Sequence, residues 1–361
     1  MTTLKAPFPY FGGKRAIADV AWAAFGDVSN YVEPFAGSAA VLLNRPTPFK
    51  GSETLNDFSC SLVNAWRAIA QRPDELTELL VGPVCEVNTE AQHWTIIQNE
   101  PRIRDCLGDP DFCDVKFAAY WIRGANEWIG SGWSCADGPW SWSRDGGWVK
   151  RSRRQLPHIG NAGMGINRKL PHLGDAGTGI NRQLPHLGDA GTGINRQLPH
   201  LGDAGKGEYE QRCEFVNGWL ASLRDRLVGV RIACGSWERV LTPSVCQKHG
   251  LTAVFLDPPY DTTEYVYGDA TGNISSSVRE WCVKSGGMGD FKIVLAGRGI
   301  EHDALLGYGW AKHTWTANRG YSSNGNTGRA EETLWFSPQC ATGQNTGKEA
   351  GQAAGQIVDL D

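Results

Sequence analysis

Residues 251–261, LTAVFLDPPYD, decide the fold. Apolar β-formers up to Leu256 give way at once to a proline-stiffened turn, Asp257-Pro258-Pro259-Tyr260. Such a run reads as a strand buried on both faces, and Asp257 stands at its carboxyl end, where open α/β sheets bind their ligands. The turn offers a carboxylate, a carbonyl that no helix uses and an aromatic face. Taken alone, the same four residues also fit an ordinary strand-ending turn.

Three upstream blocks bear on that choice. Residues 31–43, YVEPFAGSAAVLL, read as a short strand, an acidic residue, a glycine turn and a helix-forming run. Gly37 and Ser38 would let the backbone approach a ligand, and a helix that follows begins with free N–H groups. The G-x-G-x-x-G spacing of dinucleotide folds is absent, and a plain βα turn is the simpler reading of this block alone. Residues 7–26, PFPYFGGKRAIADVAWAAFG, place Gly12-Gly13 and Lys14 at the opening of an amphipathic helix. Residues 54–69, TLNDFSCSLVNAWRAI, read as a strand ending at Asn56-Asp57 and then a helix. An acidic residue at the end of a second strand is the usual partner of ribose hydroxyls in nucleoside-binding α/β folds.

The ordered set FGGK, EPFAGS, ND, a long gap and DPPY closely resembles the Dam-type, alpha-group adenine-N6 DNA methyltransferases, which use S-adenosylmethionine. Three further blocks extend the likeness: AAYWIRGANEWIGSG (118–132), FKIVLAGRG (291–299) and AEETLWFSP (330–338). The resemblance covers roughly residues 5–135 and 210–338. It implies a Rossmann-like α/β fold, a mostly parallel seven-stranded sheet with helices on both faces. The catalytic domain would comprise residues 1–69 and 211–338, with an inserted target-recognition region at 70–210. It implies that Tyr10 and Lys14 flank the cofactor, that Glu33, Pro34, Phe35, Gly37 and Ser38 form its turn, and that Asp57 holds its ribose. Asp257, Pro258, Pro259 and Tyr260 would hold a flipped adenine, with Asp257 also bordering the cofactor. Tyr10-Phe11 departs from relatives that have a tryptophan or a small residue there. Lys14 also reads as a solvated first-turn lysine, and Phe35 as partly core.

The implied chemistry is physically coherent. The adenine amine is a poor nucleophile, and Asp257 with the Pro258 carbonyl would accept its two N–H bonds. Preorganised acceptors would then stabilise the charge developing on nitrogen. Alignment of amine and methyl group would supply much of the remaining rate. The base must leave the duplex to react, and Tyr260 is the expected stacking platform. No Pro-Cys dipeptide occurs, which disfavours covalent methylation at cytosine carbon five. Two alternatives stay open: a cytosine-N4 enzyme, which more often has Ser where Asp257 stands, and a DNA-binding relative without catalysis. Such methylases occur in phages and beside restriction enzymes, and nothing in this sequence reads as a nuclease.

The 361 residues carry a net charge of −4, so a DNA-binding surface has to be local. Residues 144–212 hold 11 Lys and Arg against 6 Asp and Glu, densest at Lys150, Arg151, Arg153 and Arg154. These four are the candidate contacts to double-stranded DNA, with a solvated basic loop as the plainer reading. The ten cysteines include no C-x-x-C pair, no zinc motif appears and no metal is expected. No uninterrupted apolar stretch of about 18 residues exists, and no secretory signal precedes Lys5, so a cytoplasmic protein with reduced thiols and no membrane partner is expected. Oligomeric state is not legible.

A 14-residue unit with consensus RQLPHLGDAGTGIN starts at Arg154, Arg168, Arg182 and Arg196, giving an array over 154–209. Three readings compete: an expanded loop, a DNA-contacting array, and metal binding by His158, His172, His186 and His200, for which the spacing is poor. Trp121, Trp128, Trp133, Trp140, Trp142 and Trp148 lie just upstream. Trp121 and Trp128 read as core, and one or two of the others as wedges or stacking platforms for DNA. The Gly-, Gln- and Ala-rich tail, 339–361, reads as disordered.

Overall fold

The computed structural model describes residues 4–10, 14–47, 49–127, 133, 140–143, 147–150, 209–259, 274–317 and 330–341. Its centre is a seven-stranded sheet. The strands are β1 (Asn30–Glu33), β2 (Ser52–Asp57), β5 (Val230–Cys234), β6 (Thr252–Leu256), β7 (Phe291–Arg298), β8 (Ala311–Ala317) and β9 (Ala330–Phe336). They lie in the order β5-β2-β1-β6-β7-β9-β8. β9 runs antiparallel to both neighbours, and the other strand pairs are parallel. A separate antiparallel pair, β3 (Trp140–Ser143) and β4 (Gly147–Lys150), sets Trp142 opposite Trp148.

The apolar run of β6 is buried at all five positions because helices cover both faces. Its side chains alternate between two cores. Ala253 and Phe255 join Tyr31 in the larger, while Val254 and Leu256 join Val32 in the other. The larger core receives α1 (Arg15–Phe25), α3 (Cys60–Gln71) and α7 (Tyr209–Leu227). Helices α4 (Pro73–Leu80), α5 (Glu86–Cys106) and α6 (Val115–Glu127) pack on the same core, through Leu76, Ile103 and Phe117 among others. In α3, Leu62, Ala65, Trp66 and Ile69 share the buried face at helical spacing, and Ser59 caps the helix by accepting from the Leu62 N–H at 3.3 Å. Trp121 is buried, as expected, and sits edge-on to Phe8; Trp133 packs beside it and donates to its carbonyl at 3.1 Å. The smaller core is closed by α8 (Pro243–Cys246) and α9 (Ile274–Ser285).

A buried ion triad ties α7 to the sheet. The Glu53 carboxylate on β2 accepts from Arg226 at 2.6 and 2.8 Å and from Arg45 at 3.1 Å. The guanidiniums also donate to the carbonyls of Leu42 and Val28 and lie over the Phe49 ring. Removing the anion would leave two buried cations uncompensated, which costs far more than an exposed pair. Glu53→Ala is therefore expected to lower the unfolding free energy by about 3 kcal/mol or more. Urea titration checks this, and a loss below about 1 kcal/mol would show that the triad contributes no more than a surface pair.

Candidate active site

The strand order reverses at β1, which pairs in parallel with β2 on one side and β6 on the other. Such a switch point opens a crevice beyond the carboxyl ends of the strands. Three carboxylates emerge there: Glu33 ends β1, Asp57 ends β2 and Asp257 follows β6. Each is compensated differently.

Glu33 is buried at 3 % exposure, and its Oε2 accepts from the Tyr31 hydroxyl at 2.9 Å and from the Leu42 N–H at 3.3 Å. Burial pushes its carboxyl up to about 8, with the nearby charges of Asp257 and Glu53 adding to the shift against those two hydrogen bonds. Asp57 is half-buried and accepts from the Gly37 N–H at 3.0 Å and the Ser59 N–H at 2.9 Å. Burial raises its carboxyl, and these backbone donors oppose the rise. Asp257 is met by Lys14, whose Nζ lies 3.1 Å from Oδ1. Lys14 precedes the first turn of α1, is itself buried, and lies 3.8 Å from Glu332 of β9. It is thus no solvated first-turn lysine. Glu332 in turn faces Arg298 of β7, its register partner, at 3.9 Å.

The turn from β1 to α2 (Ala40–Leu43) is fastened to the end of β2. Asn56 donates from its side chain to the Pro34 carbonyl at 3.0 Å, and its backbone carbonyl accepts from the Ala36 N–H at 2.9 Å. Gly37 is left-handed, with φ +47, and the Tyr10 ring lies so close that an added Cβ would fall 2.6 Å from it. Its carbonyl accepts from the Trp66 indole at 3.0 Å. The N–H groups expected to be open to a ligand are partly used by the chain itself: Gly37 serves Asp57, and Leu42 in the four-residue α2 serves Glu33. Phe35 is half-buried and stacks on Trp237 with centroids 6.3 Å apart, which fits a partly core role. Ser38 is half-buried in the same turn.

Tyr10, Lys14, Glu33, Pro34, Phe35, Gly37, Ser38, Asp57, Asp257, Pro258 and Pro259 thus gather at the carboxyl edge of the sheet or in the turn beside it. Tyr260, Arg151, Arg153 and Arg154 lie outside the described residues, as do the repeats and the tail from residue 342; of Lys150 only its place in β4 is described. Two residues at this edge escaped the sequence reading. Phe58, next to Asp57, is 72 % exposed, and an exposed aromatic beside a half-buried carboxylate suits a flat heterocycle that carries hydroxyl groups. Glu332 is brought in by strand register alone. Among the described residues no group of three or more His, Cys, Asp or Glu could hold a metal ion, and no helix is long and apolar enough to cross a membrane.

Residues 10–85 match the family model of the D12 class N6 adenine-specific DNA methyltransferases. That stretch carries Tyr10, Lys14, the turn at 33–38 and Asp57, and it ends before Asp257. No curated protein matches the chain. The enzyme class that the family match supports is an adenine-specific DNA methyltransferase, on a mixed α/β fold with a mostly parallel seven-stranded sheet.

The raised carboxyl of Glu33 has a consequence for stability. The folded protein keeps its proton up to about pH 8, whereas the unfolded chain releases it near 4.5. Stability from this group is therefore complete below about pH 4.5 and is lost as the pH rises toward 8. Glu33→Gln keeps an acceptor for Tyr31 and Leu42 and removes the titration. At pH 8 it should be more stable than the wild type by a few kcal/mol, with the advantage gone by pH 4. Equal unfolding midpoints at both pH values would show Glu33 to be ionised in the folded state.

Proposed function

We propose that the chain transfers a methyl group from S-adenosylmethionine to the N6 amine of an adenine flipped out of double-stranded DNA. The observation that carries the reading is Asp257 at the switch point, directly after β6, beside Glu33 and in contact with Lys14. The bound cofactor would supply an electrophilic methyl on a positively charged sulfur. The donor set suits such a group: Asp57 for ribose hydroxyls, Phe58 for an adenine face, and an acidic edge for the sulfonium.

Asp257 accepts an N–H of the target amine and draws its lone pair toward the methyl group. The Pro258 carbonyl accepts the second N–H. Lys14 fixes the Asp257 carboxylate and balances its charge, so the acceptor is oriented before the base arrives. Tyr260 stacks on the flipped base. Tyr10 supports the turn at 33–38 by filling the space over Gly37. Target recognition falls to residues 70–210, with 73–127 seated on the catalytic core and Lys150, Arg151, Arg153 and Arg154 on phosphates. The catalytic unit then comprises 1–69 and 211–338. Dam-type membership, phage or restriction-linked origin and a cytoplasmic setting belong to this same reading.

Nucleoside mass spectrometry on unmethylated genomic DNA, incubated with the protein and S-adenosylmethionine, tests it. N6-methyladenine is expected, and Asp257→Ala should lower its yield by about 10²- to 10³-fold, as loss of a transition-state hydrogen-bond partner does. N4-methylcytosine in its place would overturn the base assignment. Full activity in the alanine variant would overturn the role of Asp257.

A further inference from the structure

Cys60 and Cys234 are distant in sequence and adjacent in space: Cys234 Sγ donates to Cys60 Sγ across 3.6 Å, and both are free thiols. Cys60 opens α3 just after the Ser59 cap, and Cys234 ends β5 as the register partner of Asp57. The two therefore flank Asp57, one along the chain and one across the sheet. The Asp57 carbonyl accepts from the Gly235 N–H at 3.0 Å, and its Oδ1 accepts from the Ser59 N–H at 2.9 Å. Any closure of the sulfur pair pulls on both of these neighbours.

We propose that this pair is an oxidation site, converted by a hydroperoxide to a Cys60–Cys234 disulfide that displaces Asp57 and weakens cofactor binding. A disulfide needs its sulfurs about 2.05 Å apart, so closure brings them together by roughly 1.5 Å. The two thiols are chemically unequal. The Cys234 hydrogen bond, then Arg104, brings Cys60 down to about 6, while Cys234 is pushed the other way by the same contact and by burial. Burial raises Cys113, Cys246, Cys282 and Cys340 instead, which leaves Cys60 the better nucleophile among them. Cys60 is itself only 7 % exposed and Cys234 beside it is half-buried, so the oxidant has to be small.

The steps balance. The Cys60 thiolate attacks one peroxide oxygen, the O–O bond breaks, and the departing hydroxide takes up the thiol's former proton as water. Cys60 is then a sulfenic acid. The Cys234 sulfur attacks the Cys60 sulfur, the S–O bond breaks, and hydroxide leaves with the Cys234 proton as a second water. Two thiols are oxidised and one hydrogen peroxide is reduced.

The effect on the cofactor rests on the ribose role proposed for Asp57; the disulfide does not. The test treats the full-length protein with hydrogen peroxide, maps it by mass spectrometry without reduction, and titrates S-adenosylmethionine by calorimetry before and after. A Cys60–Cys234 cross-linked peptide, reversed by dithiothreitol, is expected, with cofactor affinity about tenfold lower in the oxidised form. Cys60→Ser and Cys234→Ser should each give no such peptide. Both residues remaining thiols, or Cys60 joined to another cysteine, would overturn the site. A cross-link with unchanged affinity would overturn its action on Asp57. Reduced protein that binds no S-adenosylmethionine would sink the cofactor reading, and the peptide map would still judge the thiol pair.

Discussion

Three carboxylates brought to one edge of a sheet cannot all keep a bare negative charge in partly buried space. The molecule resolves this three ways: protonation at Glu33, backbone N–H donors at Asp57, and an ammonium ion at Asp257. Much local structure follows from these three solutions. The left-handed Gly37 turn points its N–H at Asp57, the Leu42 N–H within α2 meets Glu33, and α1 begins where Lys14 meets Asp257. On the proposed reading the three carboxylates have separate tasks, and this separation lets each behave differently at one pH.

The sequence made the strand ends legible because their chemistry is local. The buried apolar run that stops at Asp257, with the short strands that stop at Glu33 and Asp57, announces a parallel sheet with polar groups at one edge, and the structure has that sheet. What the chain did not disclose depends on register between distant segments. Glu332 comes near Lys14 because β9 runs antiparallel to β7 and returns its first residues to the carboxyl edge. Cys234 meets Cys60 only because β5 flanks β2. Phe58 was hidden for another reason: in sequence it reads as an apolar residue entering a helix, and only its exposure sets it apart.

The helices beyond Arg72 carry a related lesson. The stretch expected to open a recognition insert contributes Leu76, Ile96, Ile103 and Phe117 to the same apolar core as α1 and α3. Thr89 of α5 donates to Glu127 in the last turn of α6 at 2.9 Å and holds that helix end to α5, while Arg123, one turn back on α6, donates to the same carboxylate at 2.8 Å. Target recognition and methyl transfer, on the proposed reading, would share one packed body up to that point.

The triad of Glu53, Arg226 and Arg45 has a further consequence. It anchors α7, which resumes directly after the 14-residue repeats, while the Glu127 contacts anchor the helix before them. Both ends of the intervening stretch are thus fastened independently of its length. Closure entropy between two fixed ends grows only with the logarithm of the intervening length, so on that count alone 14 residues more or less would change the folding free energy by roughly 0.2 kcal/mol. Neither anchor touches the repeats' own sequence, so the count of repeats would be free to vary from one generation of the sequence to the next without disturbing either contact.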